Sequence, residues 1–237
     1  MDLKETDILD TDISNHWYYA SKARAMTCFL DGFTPSLILD VGAGSGFFSR
    51  HLLEHSNGNE AWCVDTGYEV ESDEENNKKT IHFRRSISNI DADLVLLMDV
   101  LEHVDNDVSL LKEYVAKVPK GTVFLVTVPA FQFLWSGHDN YLEHKRRYTL
   151  KHLESVVEMA GLKVNYGAYY FGMIFPLVAS LRLVQKIIGN SSSEKSQLEK
   201  HSYFVNMILK FFCRFELIFM RINRFAGLTV FCLAEKV

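Results

Sequence analysis

Short apolar runs alternate with segments of helical spacing over the first two thirds of the chain. The clearest run is Leu37-Ile38-Leu39-Asp40-Val41, which ends in Gly42-Ala43-Gly44-Ser45-Gly46. Apolar positions then resume at helical spacing from Phe47 to Leu53. This pattern predicts a strand, a glycine turn and a helix. Further strands are predicted at 60–65, 81–84, 93–98, 122–128, 162–166 and 228–234, and helices at 12–31, 99–118 and 150–160, the last ended by Gly161. Residues 69–79 carry both charge signs and read as a solvated loop. Residues 189–196 read as a polar linker between two apolar helical segments. In the second, 203–224, Asn206, Lys210, Arg214, Arg221 and Arg224 fall within about 40° of one line at 100° per residue, a narrow cationic stripe. Strands alternating with helices imply an α/β fold with a largely parallel sheet, because each parallel return needs a covering crossover.

Composition agrees with a chain that buries a real core: 237 residues, 48% hydrophobic and 23% charged. The net charge of -5 argues against a nucleic-acid partner. The segment from Lys200 to Val237 departs from that average, with six basic residues against two acids. Cys28, Cys63, Cys213 and Cys232 form no CxxC pair and read as free thiols. No carboxylate or histidine cluster with ligand spacing stands out, so no metal is expected. The polar, acidic start lacks the basic and apolar parts of a secretory signal, so a cytoplasmic location is expected. The longest uncharged stretch, 165–181, contains Gly172 and Pro176 and falls short of the ~20 residues of a spanning helix. Peripheral membrane contact stays open.

A strand that ends in glycines and opens a helix aims backbone N–H groups at a ligand. A phosphate-binding loop would need Lys and Ser or Thr where Phe47 and Phe48 stand. A dinucleotide fingerprint would need its third glycine at Phe47. The run Asp40-Val41-Gly42-Ala43-Gly44-Ser45-Gly46 instead resembles the first motif of class I S-adenosylmethionine-dependent methyltransferases. Asp65, at the end of the second strand, stands where that family places its ribose-binding acid. Asp93-Leu94-Val95-Leu96-Leu97-Met98-Asp99 resembles its fourth strand, and residues 227–236 its last strand, which inserts antiparallel between its neighbours.

The resemblance implies a Rossmann-like, seven-stranded, mostly parallel sheet with an antiparallel last strand, helices on both faces and a helical insertion before that strand. It implies one domain over 1–237: a helical lid at 1–34, a cofactor-binding core at 35–165, an insertion at 166–225 and a closing strand at 226–237. S-adenosyl-L-methionine is the implied cofactor, leaving as S-adenosyl-L-homocysteine. Asp40, Gly42, Ala43, Gly44, Gly46, Asp65, Thr66, Ser86, Ile87, Met98 and Asp99 are its expected contacts.

Trp135-Ser136-Gly137-His138-Asp139 and His144-Lys145-Arg146-Arg147-Tyr148 resemble segments of small bacterial methyltransferases that accompany glycan and lipid biosynthesis. His138, its basicity raised by Asp139, is the first base candidate and His103 the second, with His144 beside them; for His138 and His144, hydrogen bonds that hold the loop backbone over the cofactor are the equal reading. Trp135 and Arg146 are acceptor-binding candidates; for Arg147 a structural pair with Asp139 or Glu143 is the equal reading. In the lid, Tyr18, Tyr19 and Arg24 are expected pocket walls, and Thr149 is expected to cap the next helix. The expected activity is O-methylation of a small hydroxylated, sugar or lipid-linked metabolite. Nicotinamide-dependent oxidoreduction and a non-catalytic S-adenosylmethionine-binding module are the alternatives. For the insertion three roles are ranked: core and homodimer packing, an apolar cap over a greasy acceptor, and membrane-surface contact through Lys210, Arg214, Arg221 and Arg224.

Overall fold

The computed structural model describes residues 10–30, 32–76, 78–188 and 202–237; the predicted linker at 189–196 lies outside them. After a 3-10 turn at Asp10–Asn15 comes α1 (Trp17–Phe29), then β1 (Leu37–Val41), α2 (Phe47–His55), β2 (Glu60–Val64), β3 (Ser72–Asn76), β4 (Lys79–Arg84) and β5 (Leu94–Met98). α3 (Asp107–Lys117), β6 (Val123–Pro129), the short α4 (Gly137–Tyr141), α5 (Leu150–Met159), β7 (Leu162–Tyr170), α6 (Phe175–Ile188), α7 (Tyr203–Glu216) and β8 (Thr229–Lys236) complete the chain.

The strands form one sheet in the order β3-β4-β2-β1-β5-β6-β8-β7. β4, β2, β1, β5 and β6 run parallel, and β8 lies antiparallel between β6 and β7, as the resemblance implied. Every residue of β5 is buried, which is why that strand reads as an uninterrupted apolar run. One buried cluster covers each face: Met26, Phe29, Phe48 and Phe231 belong to one, and Leu111, Val126, Leu153 and Val157 to the other.

Three predicted elements change. The charged run is partly strand, since Ser72–Asn76 pairs antiparallel with β4 and makes the sheet eight-stranded. Its charges suit a sheet edge, where Asp73 meets Arg84 at 2.7 Å and Glu74 meets Arg50 at 2.8 Å. The predicted helix at 99–118 begins only at Asp107: Asp99 takes a left-handed φ of 57°, a 3-10 turn covers Leu101–His103, and Asn106 caps α3 by accepting the Ser109 N–H at 2.9 Å. β7 runs four residues past Tyr166, so the helical insertion starts beyond Tyr170.

α6 buries no residue fully, and α7 buries only Cys213 and Glu216. Of the polar stripe of α7, Asn206 faces the protein and Arg214 is exposed. Asn206 accepts the Trp17 N–H at 2.7 Å and donates to the Asn15 carbonyl at 2.8 Å, so it caps α1. Beyond the helix, Arg221 lies over the Tyr166 ring and Arg224 pairs with Glu154 at 2.8 Å. The outward face is apolar, with Tyr203, Phe204, Phe211, Phe215, Ile218, Ile222 and Phe225 exposed, and Leu177, Leu181, Val184, Ile187 and Ile188 add to it from α6. This inverts the usual order, in which a helix turns its apolar stripe to the core. The insertion still reaches the core, through the buried Ile174, Cys213 and Met220. Among the described residues no helix is long and apolar enough to cross a membrane.

Candidate active site

Parallel pairing brings the carboxyl ends of β2, β1 and β5 side by side, with Val41 in register with Val64 and with Leu97. Asp40, the glycine turn, Asp65 and Asp99 thus meet at one sheet edge, next to the point where strand order reverses about β1. The turn cannot carry side chains at its ends. Gly42, Gly44 and Gly46 have φ of 64°, 54° and 72°, and a Cβ on Gly42 would lie 2.8 Å from a Val100 methyl. Asp65 accepts the Gly44 N–H at 3.1 Å and the Gly67 N–H at 2.8 Å, which leaves lone pairs on both oxygens for further donors. Tyr68 donates to the Gly44 carbonyl at 2.6 Å. Asp40 is buried and accepts from the Ser49 hydroxyl at 2.8 Å; burial pushes its carboxyl up to about 6, against the pull of that hydrogen bond.

These groups could hold S-adenosylmethionine: backbone N–H groups for its carboxylate, acids for its ammonium and ribose, and a turn without Cβ atoms for close approach. Ala43 is buried and Thr66 exposed in the turns beside them. Met98 is buried against Thr127 rather than open to a ligand. Ser86 is exposed after β4, and Ile87 packs into the cluster on the sheet face away from Ala43.

Beside this edge lies a cavity of about 540 Å³. Asp99, Glu102 and His103 form its floor, Trp17, Tyr18 and Tyr19 of α1 one wall, and His138, Leu142, His144 and Arg147 the opposite wall. Ile174, Leu177, Val178 and Leu181, with Arg182 and Gln185 of α6 and Leu209 of α7, line a further side. Non-glycine residues with left-handed backbone occur where strands end around it: Asp99 after β5, Phe131 after β6 and Phe171 after β7.

Sequence reasoning missed two groups here. Lys22 is fully buried against Asp99, and Asp99 also accepts from the Thr127 hydroxyl at 3.1 Å. Burial alone would lower the Lys22 ammonium, but the carboxylate beside it more than offsets this and holds it above its ordinary value. Burial would raise Asp99, and Lys22 holds it below the usual carboxylate range. The one available signal was the spacing of Lys22 four residues after Tyr18, which puts both on one helical face. The second missed group is Glu102, fully buried with both carboxylate oxygens lacking a hydrogen-bond partner. Burial, then the nearby Asp99 charge, pushes its carboxyl well up.

The histidine candidates all line the cavity, but their support differs from the expectation. Asp139 is buried and holds His144 directly. It meets His144 Nδ1 at 2.9 Å, accepts from Arg147 Nε at 2.7 Å and a terminal nitrogen at 2.9 Å, and accepts the Ser136 N–H at 2.8 Å. Arg147 is therefore the partner of Asp139, which lies well below the usual carboxylate range because these partners outweigh burial. His138 is lowered to about 4 by burial, against the Asp139 charge, so it is uncharged at neutral pH and a weaker base than expected.

Other candidates move out of the cavity lining. Arg146, expected to grip an anionic acceptor, pairs with Asp107 at 3.1 Å and donates to the Val104 and Asp105 carbonyls at 3.0 and 2.8 Å. Trp135 donates to Asn140 at 2.9 Å, and Arg24 is exposed on the far side of α1 from Lys22. Thr149 caps α5 by accepting the His152 N–H at 3.3 Å. The expected lack of a carboxylate–histidine cluster is also corrected: ligand atoms of Glu102, His103 and His144 lie within 4.8 Å of one another. Their spacing in sequence hid them, because the wall segment returns to the 3-10 turn only through folding, with the Lys145 N–H on the Glu102 carbonyl at 2.7 Å.

A family model of the methyltransferase domain matches residues 15–166. No curated protein matches the sequence. Among solved structures, the chain is similar to the methyltransferase of a Haloferax volcanii complex with the Trm112 methyltransferase activator. The TM-score is 0.57 at 14% identity, over 99% of this chain and 94% of that one. The plantazolicin methyltransferase BpumL in complex with S-adenosylhomocysteine gives 0.57 at 13% identity, over 99% and 90%. Haemonchus contortus phosphoethanolamine N-methyltransferase 2 in complex with S-adenosyl-L-methionine gives 0.57 at 14% identity, over 100% of this chain but 60% of that one. At these identities the structural likeness is one of fold.

Proposed function

The chain belongs to the methyltransferase domain family, which uses S-adenosylmethionine, and on that premise we propose that it methylates a hydroxyl oxygen of a lipid-linked acceptor at a membrane surface. The observation that carries this reading is the double exposure of α6. Leu177 and Leu181 line the cavity and are also 63% and 54% exposed, so the cavity mouth opens onto the apolar outer face of α6 and α7. Arg182 and Gln185 of the same helix line the cavity behind this apolar mouth. An acceptor with an apolar tail leaves the tail in lipid and brings its polar head to Glu102, His103 and His144. Lys186 and Arg214 are exposed on these helices, and Glu216, the acid of α7, is buried as the acceptor of the Gly172 and Met173 N–H groups. The charge left on this face is cationic, which suits an anionic lipid surface on the cytoplasmic side.

Bound S-adenosylmethionine supplies an electrophilic sulfonium methyl group. The residues of this chain contribute position. Asp65 and the glycine turn would hold the adenosine and methionine ends, Tyr18 and Tyr19 wall the cavity, and its polar floor would orient the acceptor hydroxyl and take up its proton. Holding reactants in line is worth several kcal/mol in such a displacement, of the order of 7–11 when the geometry is ideal.

Incubation with S-adenosylmethionine bearing an isotopically labelled methyl, against a membrane lipid extract and a polar metabolite extract, tests the reading. It predicts label in the organic phase, in a base-stable ether. Label confined to the aqueous phase or to a base-labile ester would contradict it. Vesicle pelleting checks the surface itself: the protein should sediment with anionic vesicles, and a stable homodimer that ignores vesicles would put a second copy on these faces instead.

A further inference from the structure

We propose that Glu102, His103 and His144 hold a divalent transition-metal ion at the floor of the cavity, with open coordination positions that take the acceptor hydroxyl. The proposal rests on the reading of this cavity as the acceptor site. Three independent features meet there. The Glu102 carboxylate is fully buried, and neither of its oxygens has a hydrogen-bond partner, an arrangement that folded proteins avoid unless something else satisfies the group. The nearby cations are engaged elsewhere, Lys22 with Asp99 and Arg147 with Asp139, and neither hydrogen-bonds Glu102.

The second feature is the orientation of His144. Its Nδ1 lies 2.9 Å from the buried Asp139 carboxylate, which in turn is held by Arg147 and Ser136. A carboxylate on one ring nitrogen fixes the tautomer and leaves the other with its lone pair forward, the outer arrangement characteristic of metal-binding histidines. The third is the donor set itself. The His103 and His144 rings stand edge to face, 4.8 Å between centroids, and the three ligand atoms lie within 4.8 Å of one another. Donors on one ion with bonds of about 2.0–2.2 Å are about 3.3 Å apart, so modest side-chain rotations close the site.

Two imidazoles and one carboxylate favour Zn(II), Mn(II), Fe(II) or Co(II) over Mg(II) or Ca(II), and three protein ligands leave room for substrate. The chemistry follows from the Lewis acid. The acceptor O–H is polarised and its proton passes to water in the open cavity. The oxygen then forms its bond to the methyl carbon as the carbon–sulfur bond breaks, and that electron pair stays on sulfur. The activation that a weakly basic His138 supplies poorly comes from the ion instead.

Co(II) titration of the chelator-treated, full-length protein reads the site directly through visible d–d absorption. The expected result is one Co(II) per chain, with Glu102→Gln and His144→Ala each weakening binding by more than the roughly 10–100-fold that loss of an outer partner of a metal ligand costs. Circular dichroism and the thermal midpoint show that the variants are folded. Absence of stoichiometric binding to the wild type, or unchanged affinity in both folded variants, would overturn the proposal. S-adenosylhomocysteine titration of the metal-free protein separates the two readings: retained binding with no Co(II) site removes the metal alone, whereas loss of both removes the acceptor-site reading with it.

Discussion

Lys22 of the first helix reaches across 77 positions of sequence to place its buried ammonium against Asp99 at the tip of β5. This pair fastens the helix that walls the cavity to the strand end that meets the cofactor edge. Lys22→Met removes one partner and leaves a largely buried carboxylate uncompensated. Breaking such a pair costs about 3 kcal/mol, and urea unfolding should show that loss. Lys22→Met combined with Asp99→Asn should recover more than half of it, since the second change removes the stranded charge.

Asp40 makes a prediction of opposite sign. Burial raises its carboxyl from 3.8 to about 6, the Ser49 hydroxyl pulling the other way. Folding therefore favours the protonated form: the contribution is complete below pH 3.8 and is lost as pH rises through 6. Asp40→Asn should stabilise the cofactor-free protein at pH 8, by up to about 3 kcal/mol, and scarcely at all below pH 4. Because a cationic cofactor favours the ionised form, S-adenosylmethionine affinity of the wild type should rise with pH through about 6, and the variant should lose that dependence. Thermal unfolding and calorimetric titration at pH 5 and 8 check both.

Two glycines with left-handed backbone separate strain from ligand approach. Gly121 has φ of 86° with nothing near its absent Cβ, whereas Gly42 has φ of 64° and the Val100 side chain 2.8 Å away. Gly121→Ala should cost about 1 kcal/mol of stability and leave cofactor binding alone. Gly42→Ala should weaken S-adenosylhomocysteine binding at least tenfold, measured by calorimetry.

Arg147 grips Asp139 with two nitrogens while Asp139 orients His144. Arg147→Ala should lower stability by about 3–5 kcal/mol, because the carboxylate it leaves is fully buried. Arg147→Lys should recover little, since an ammonium cannot reproduce the two-point contact. Chemical denaturation of the three proteins measures the difference.

The legible parts of this molecule are those where chemistry and chain direction coincide. The strand ending at Val41 and its glycine turn could be read because the left-handed backbone there demands glycine, and Asp65 closes on that turn by accepting the Gly44 N–H. The strand at Ser72–Asn76 was hidden because an edge strand carries the charges of a loop. The split of the predicted 99–118 helix turned on one left-handed residue, Asp99, within an unbroken periodicity. Glu102 and His144 are 42 positions apart, and only the folded wall segment joins them. The stripe on α7 was visible as a pattern, but its direction was not: Asn206 turns inward to cap α1, while Arg214 and the phenylalanines stay outside.

The most direct test of the account is calorimetric titration with S-adenosylhomocysteine and NADH of the wild type and of Asp65→Ala. Asp65 stands beside the glycine turn with lone pairs free for ribose hydroxyls. The account predicts one S-adenosylhomocysteine site per chain, no NADH binding, and at least tenfold weaker S-adenosylhomocysteine binding in a folded Asp65→Ala. Tight NADH binding by a wild type that ignores S-adenosylhomocysteine would contradict it.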